Sequence, residues 1–436
     1  MKKTLLLQTA LVAAAGLFVA DVASAQVKAE PISVSLGGYM NQAFKIQDKG
    51  TNANTAQQNE GDMVFGRPDT EIWFTIRAVM DNGLKIGGRV ELEGATYGDQ
   101  IDESYAWFEH DSYGRVDIGS TDRVSSKMNY FAPAAIPGIG TNSPNEVAAT
   151  RINPQMWYRN NGNDSQGINV YTASNRYFGS KVGKGLMLGL SYVPDACEDD
   201  SVLGTVNTGT NGTTTGNLSN ALSSCNQGTG SSPFGTKTSG NLRDLTQFAG
   251  NYIETFGPVD VALFASYTRT NIEQRGTSTT TGVTGNPFQP GVNGLSGYSL
   301  GTTLTYNVGD GSSVQLGGGF RSEEVAITRS TAGVVQIDRE QAWTAGLRYL
   351  TNGVAPGSIG VGADWWTARN PVGPNTTSNI AGADMDFYSL GLTYQLAAGI
   401  LLYTGVGVVD YTDANTSTKT GDYKQTFGTA GFRLDF

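Results

Sequence analysis

The chain has 436 residues, a formal net charge of −10 and only 16 % charged residues, a balance that disfavours a nucleic-acid partner, which would call for a basic surface. Its 58 glycines, 19 tyrosines and 17 phenylalanines suit strands and turns. A mean hydropathy of −0.25 fits strands in which oily and polar positions alternate, and excludes a bundle of membrane-spanning helices.

Lys2 and Lys3 precede an apolar run from Leu5 to Ala20, and Ala23-Ser24-Ala25 supplies a small-x-small cleavage pattern. This is the layout of a secretory signal, so residues 1–25 are expected to be a cleaved signal peptide and residues 26–436 one domain. The alternative, a membrane anchor, fits less well, because Gln8 and Thr9 interrupt the run and it falls short of a span of about 20 residues. No cysteine follows the signal, which disfavours a lipoprotein.

Sixteen strands are predicted after it, over 31–46, 67–80, 84–95, 102–110, 114–120, 165–173, 185–193, 244–253, 258–268, 297–307, 312–322, 340–350, 358–367, 385–396, 400–410 and 425–436. Fourteen or eighteen are the alternatives, because the connection from Ser174 to Lys184 is awkward. The strands are two-sided: Leu186, Leu188, Leu190 and Tyr192 oppose Gly189 and Ser191, and Tyr388, Leu390, Leu392 and Tyr394 oppose Ser389, Gly391 and Thr393. A soluble sandwich also alternates. Here, however, tyrosines and tryptophans bound the apolar runs, the polar face is rich in small residues, and short connections alternate strictly with long ones. The short ones are 81–83, 111–114, 255–258, 309–311, 352–357 and 397–399; the long ones are 47–66, 120–164, 194–243, 268–296, 322–339, 367–385 and 410–424. This asymmetry predicts an all-β, closed antiparallel transmembrane barrel with tight periplasmic turns and long outer loops, placed in the Gram-negative outer membrane.

Cys197 and Cys225 are the only cysteines and share one outer loop. In an exported chain such a pair is expected to form a disulfide. The one histidine, His110, falls at a periplasmic turn, so a hydrolase constellation is hard to build and no enzyme is expected. No cofactor or metal is expected, and no loop carries a calcium motif. Asn211 and Asn217 begin Asn-x-Ser/Thr sequences that read as incidental.

Four stretches together are similar to general bacterial porins of the sixteen-stranded kind, the alphaproteobacterial ones above all. They are Ser35-Leu36-Gly37-Gly38-Tyr39, Asn82-Gly83-Leu84, Tyr113-Gly114-Arg115-Val116-Asp117-Ile118-Gly119 and Leu188-Gly189-Leu190-Ser191-Tyr192-Val193-Pro194-Asp195. The terminal Phe436, with Phe432 and Leu434 on the same strand face, resembles the signal that barrel-assembly machinery reads. The resemblance implies a homotrimer in outer-membrane lipid and lipopolysaccharide. It implies a water-filled channel in each subunit, narrowed by a third loop, here Ser120 to Asp164, folded into the lumen and stiffened by Pro133, Pro137, Pro144 and Pro154.

The resemblance also implies a ladder of basic residues on the wall facing that loop. Strand parity points Lys45, Arg77, Arg89, Arg115 and Arg433 inward. Asp122 and Glu146 are the acidic candidates on the loop, beside Arg123, Lys127 and Arg151, which departs from the family pattern of an acidic loop. Glu71, Glu91, Glu93, Glu103 and Glu109 also point inward and are placed to pair with the arginines. Trp73, Trp107 and Trp366 could face the lumen without forming a track. The expected function is passive diffusion of small hydrophilic solutes and ions; the alternatives are a channel selective for a sugar or an anion, and an adhesin.

Overall fold

The computed structural model describes residues 31–48, 63–65, 69–94, 101–137, 156, 165–172, 185–195, 241–273, 294–328, 335–370, 383–413 and 423–436. The expected signal peptide, Glu146, Arg151, and the Cys197 and Cys225 pair lie outside them.

The chain folds into one antiparallel sheet of β1 (Ser33–Asp48), β2 (Met63–Phe65), β3 (Asp69–Val79), β4 (Lys85–Glu93), β5 (Ile101–His110), β6 (Gly114–Ser120), β7 (Gln166–Tyr171), β8 (Gly185–Asp195), β9 (Asn241–Phe256), β10 (Val259–Glu273), β11 (Gly294–Gly309), β12 (Ser312–Thr328), β13 (Val335–Leu350), β14 (Ile359–Asn370), β15 (Ala383–Ala397), β16 (Ile400–Asp413) and β17 (Tyr423–Asp435). A single helical turn, α1 (Val124–Lys127), follows β6. β2 and β3 both pair with β1, Phe65 opposite Phe44 and Asp69 opposite Asn41, so together they make one stave of the wall. The result is a closed sixteen-stranded barrel, and fourteen and eighteen strands are excluded.

Closure runs through the ends of the described chain. β17 pairs with β1 from Tyr39 opposite Asp435 to Asp48 opposite Thr426. The Phe436 N–H donates to Gly38 O at 3.1 Å and the Gly38 N–H donates to Phe436 O at 2.9 Å. A closed sheet leaves no edge whose N–H and C=O groups lipid would have to solvate.

The two faces divide as the alternation requires. Leu186 is 60 % exposed and Leu390 54 %, and Leu188, Leu300, Leu316, Leu347 and Val406 share that outer face. A band of leucine and valine on this scale is costly in water and favourable in hydrocarbon. The residues between them, such as Ser191, Asn251, Ser299 and Thr393, are buried inside. At one end the connections are tight. Asp310 and Gly311 have φ of 47° and 81°, and Asn352 and Gly353 have φ of 47° and 60°. These left-handed pairs match the twist of a hairpin, which is why Asp-Gly and Asn-Gly stand there.

Several strands run further than the alternation suggests. β9 covers Asn241–Phe256, β10 ends at Glu273 and β12 at Thr328. All three extensions include the loop end of a hairpin, where Asn241 pairs with Glu273 and Thr328 with Val335. There the backbone ladder persists without an oily face to mark it.

Candidate functional site

The lumen divides into a half against which the chain after β6 packs and a half lined by charged and aromatic side chains. The packing begins at Glu103 on β5, whose carboxylate accepts the Thr121 hydroxyl at 2.8 Å and the Asp122 N–H at 2.6 Å. Arg123 is fully buried and donates to Asn169 Oδ1 at 3.2 Å, to Gly119 O and to Ser165 O. Asn169 Nδ2 donates back to Asp122 O at 2.9 Å. A guanidinium and two amide-type partners thus tie the root of this segment to β7.

From α1 onward the segment meets inward-facing side chains of successive strands. Ser191 Oγ accepts the Val124 N–H at 3.0 Å, and Gln247 Oε1 accepts the Ser125 hydroxyl at 2.8 Å. Asn251 donates to Met128 O at 3.0 Å, Thr303 donates to Phe131 O at 2.7 Å, and Asp364 Oδ2 accepts the Ala135 N–H at 3.0 Å. Phe131 packs edge-on to Phe264 at 5.4 Å between centroids. Trp366, Phe387 and Phe427 stack across β14, β15 and β17 in the same buried apolar cluster as Ile136 and Met156. Trp366 therefore faces inward but is fully covered.

The other half, β1, β3–β6 and β17, is a lattice of cations, aromatics and carboxylates. Arg433 lies 4.0 Å from the centre of the Tyr39 ring, Tyr39 meets Trp73 edge-on at 6.0 Å, and Arg89 lies 4.2 Å over Trp73. Arg115 sits 5.0 Å over Trp107, and Lys127 reaches 4.6 Å from the Tyr105 ring. The aromatic edges are held by Glu71, which accepts the Tyr39 hydroxyl at 2.7 Å and Trp73 Nε1 at 3.1 Å. Acids pair the cations: Arg89 with Glu91 at 2.6 Å, Arg115 with Asp117 at 2.6 Å and Glu109 at 3.5 Å, and Lys127 with Glu103 and Asp117, each at 3.9 Å.

The basic residues expected on the wall share the parity of the inward positions but do not stand at one level. Lys45 is buried opposite Thr429. Arg77 is exposed opposite Ser33, close to the short turn after β3. Arg433 pairs with Asp435 at 2.8 Å and is opposite Leu401, just past the turn that opens β16. Arg89 and Arg115 are the two joined to the root of the loop through Glu103, Asp117 and Lys127. Asp122 is at that root, and Ser126 donates to it at 2.9 Å. Phe432 and Phe436 are exposed on the outer face. Gln247, Asn251, Thr303 and Asp364 are not among the expected site residues, although parity alone places each of them inward.

Negative charge gathers where β3, β4 and β5 meet the loop root. Glu71, Glu93 and Asp102 each bring one carboxylate oxygen within 4.8 Å of the others, an all-oxygen set of the kind a hard cation takes. Burial and the Glu103 charge push the Asp122 carboxyl up to about 6, against the opposing pull of Lys127. Burial draws the Lys127 ammonium down, but Glu103, Tyr105, Asp117 and Asp122 outweigh it and hold it above the ordinary lysine value. At the turn after β5, the Lys85 ammonium, 2.7 Å from Asp111, holds that exposed carboxyl below its usual range.

The family model described as Gram-negative porin matches residues 9–414. The chain belongs to the Gram-negative porin family. No curated protein matches it at a significant level, but solved structures share its fold. A loop L8 deletion mutant of OmpT, an outer membrane protein of Vibrio cholerae, is 12 % identical with a TM-score of 0.53, over 93 % of this chain and 100 % of that one. The outer membrane channel DcaP of Acinetobacter baumannii gives 0.52 at 11 % identity, over 93 % and 97 %. OmpF of Salmonella typhi gives 0.50 at 13 % identity, over 92 % and 97 %. This porin is a multi-pass outer-membrane protein and a channel.

Proposed function

We propose that this porin is a general diffusion channel, through which small hydrophilic solutes and ions pass down their gradients with no chemical step and no cofactor. The observation that carries the reading is how the uncovered wall is occupied. Arg433 and Arg89 lie against the faces of Tyr39 and Trp73, and Arg115 against Trp107, which removes flat aromatic surface from a sugar's reach. Arg89, Arg115 and Arg433 each hold a carboxylate, which weakens them as a stack of anion sites. What remains is a wet, mixed-charge passage with an excess of acid near the loop root, and that favours a modest preference for cations.

Arg89, Arg115 and Asp122 are the constriction residues in this reading, with Glu91, Glu103 and Lys127 added; Lys45, Arg77 and Arg433 form the approaches. A trimeric form is described for one structural neighbour, OmpT of Vibrio cholerae, and a homotrimer in lipopolysaccharide-bearing membrane is proposed here too. Residues 1–25 would direct export, Cys197 and Cys225 would clip an outer loop, and Phe432, Leu434 and Phe436 would be read by the barrel-assembly machinery.

The test is reconstitution in a planar bilayer, with conductance steps and the reversal potential measured in a salt gradient. Steps in triplets with a small cation preference are expected. Block by one sugar or one anion at low concentration would favour a selective channel instead, and a silent bilayer containing folded protein would sink the channel reading itself.

A further inference from the structure

The loop segment lies on glycines. Where residues 130–136 cross β11 to β16, the wall beneath them presents Gly301, Gly317, Gly319, Gly346, Gly391 and Gly405. A Cβ at Gly317 would fall 2.5 Å from Phe131 O, at Gly346 2.8 Å from Pro133 O, and at Gly319 2.5 Å from the Phe131 ring. At Gly301 and Gly391 it would fall closer still, on the backbone oxygens of Tyr130 and Ala135, and at Gly405 on the Ile136 side chain. None of the six has a positive φ, so the backbone itself would accept alanine at each. At each the nearest atom belongs to the segment lying on top, and at Gly317, Gly319 and Gly405 a carbonyl of the wall stands close as well.

We infer that this glycine trough sets the calibre of the channel: its depth fixes how far residues 130–136 stand from the wall, and therefore how much lumen they leave open. Two kinds of observation converge on this. Thr303 and Asp364 bond the segment's backbone down at Phe131 and Ala135, between the glycine contacts. The close approach then removes the space into which the segment could sink. A methyl group added under it has one way to be accommodated, which is to lift the segment toward the pore axis, because a packed contact does not absorb an extra carbon. The trough thus makes the loop part of the wall, with its height written in residues of the barrel.

The inference rests on the channel reading, and the experiment separates the two. Wild type, Gly301→Ala, Gly319→Ala and the control Gly428→Ala are refolded, checked for the folded barrel by heat-modifiable gel mobility, and measured for single-channel conductance and polymer exclusion. Gly428 is on the outer face, with nothing nearer a built Cβ than Gly405 O at 4.0 Å. Loss of conductance and a smaller exclusion limit are expected for Gly301→Ala and Gly319→Ala, with Gly428→Ala at the wild-type value. Because the carbon at 319 meets the Phe131 ring, the effect of Gly319→Ala should vanish in a Phe131→Ala background, as a coupled pair requires. Folded Gly301→Ala or Gly319→Ala barrels that conduct like wild type, or better, would overturn the inference. Should Gly301→Ala fail to fold, the 319/131 pair decides alone. If wild type itself does not conduct, the channel reading is what fails.

Discussion

Asp122 shows how a single carboxyl can report on the pore. Its acid form persists to a pH of about 6 because burial and Glu103 oppose ionisation. The sign follows directly: the folded chain holds a proton that an unfolded one has released, so ionising Asp122 costs stability as pH rises through 6, and acidification removes that cost. The same step changes the charge at the loop root. Lowering the pH from 7 to 5 should therefore reduce the cation preference read as reversal potential, and Asp122→Asn should remove the part of that change centred near pH 6. A profile identical in the variant would show that Asp122 does not face the ion path. Glu103 is the opposite case, a carboxylate whose partners need it charged. Glu103→Ala leaves the Asp122 N–H and the Thr121 hydroxyl without their acceptor and removes one of the carboxylates near Lys127, which keeps Asp117 and Thr121. A loss of about 1–3 kcal/mol is expected for an unmet buried polar group, measured as an earlier transition from the compact to the unfolded band on heating.

At the scale of elements, the barrel was legible and the loop contacts were not. Alternation is local: Leu186 to Tyr192 declares its oily face within one strand, and Asn352-Gly353 declares its turn within two residues. The segment after β6 meets side chains from Ser191 to Asp364, far apart in the chain, and no local period marks those meetings. Trp365-Trp366 and Phe387-Tyr388 illustrate the limit. Parity puts Trp366 on the face of Asp364 and Phe387 on that of Ser389, but nothing local says that both are covered by the apolar cluster that includes Ile136 and Met156. The closing strand, by contrast, was readable to its last residue. Phe436 exchanges two backbone hydrogen bonds with Gly38 and keeps its ring on the outer face. Deleting Phe436 removes both bonds and the terminal aromatic together. The expected result is a large fall in folded barrel recovered from outer membranes, with protein retained in the periplasm as unfolded chain; normal yield of heat-modifiable barrel would refute a role for the terminal residue in assembly.

For the whole molecule, the question is whether selectivity comes from a field or from a site. Glu71, Glu93 and Asp102 bring carboxylates together beside the buried Glu91 and Glu103, and the nearest cations, Arg89 and Lys127, are already engaged. A diffuse excess of that kind attracts cations over a distance set by the Debye length, about 10 Å at 0.1 M salt and about 3 Å at 1 M. A general channel governed by it should prefer cations in dilute salt and approach the free-solution mobility ratio at 1 M, because the field no longer reaches across the passage. A channel governed by a binding site should behave otherwise, since an ion in direct contact with its ligands is not screened by the bath, and its preference would persist while conductance saturated with concentration. Reversal potentials taken at a fixed tenfold gradient from dilute to molar salt distinguish the two. Glu91→Gln should lower the dilute-salt preference and leave the molar value unchanged. A preference that survives molar salt, or a Glu91→Gln effect that is the same at both ends, would mean that the acids of this wall hold ions one at a time rather than tinting the whole passage.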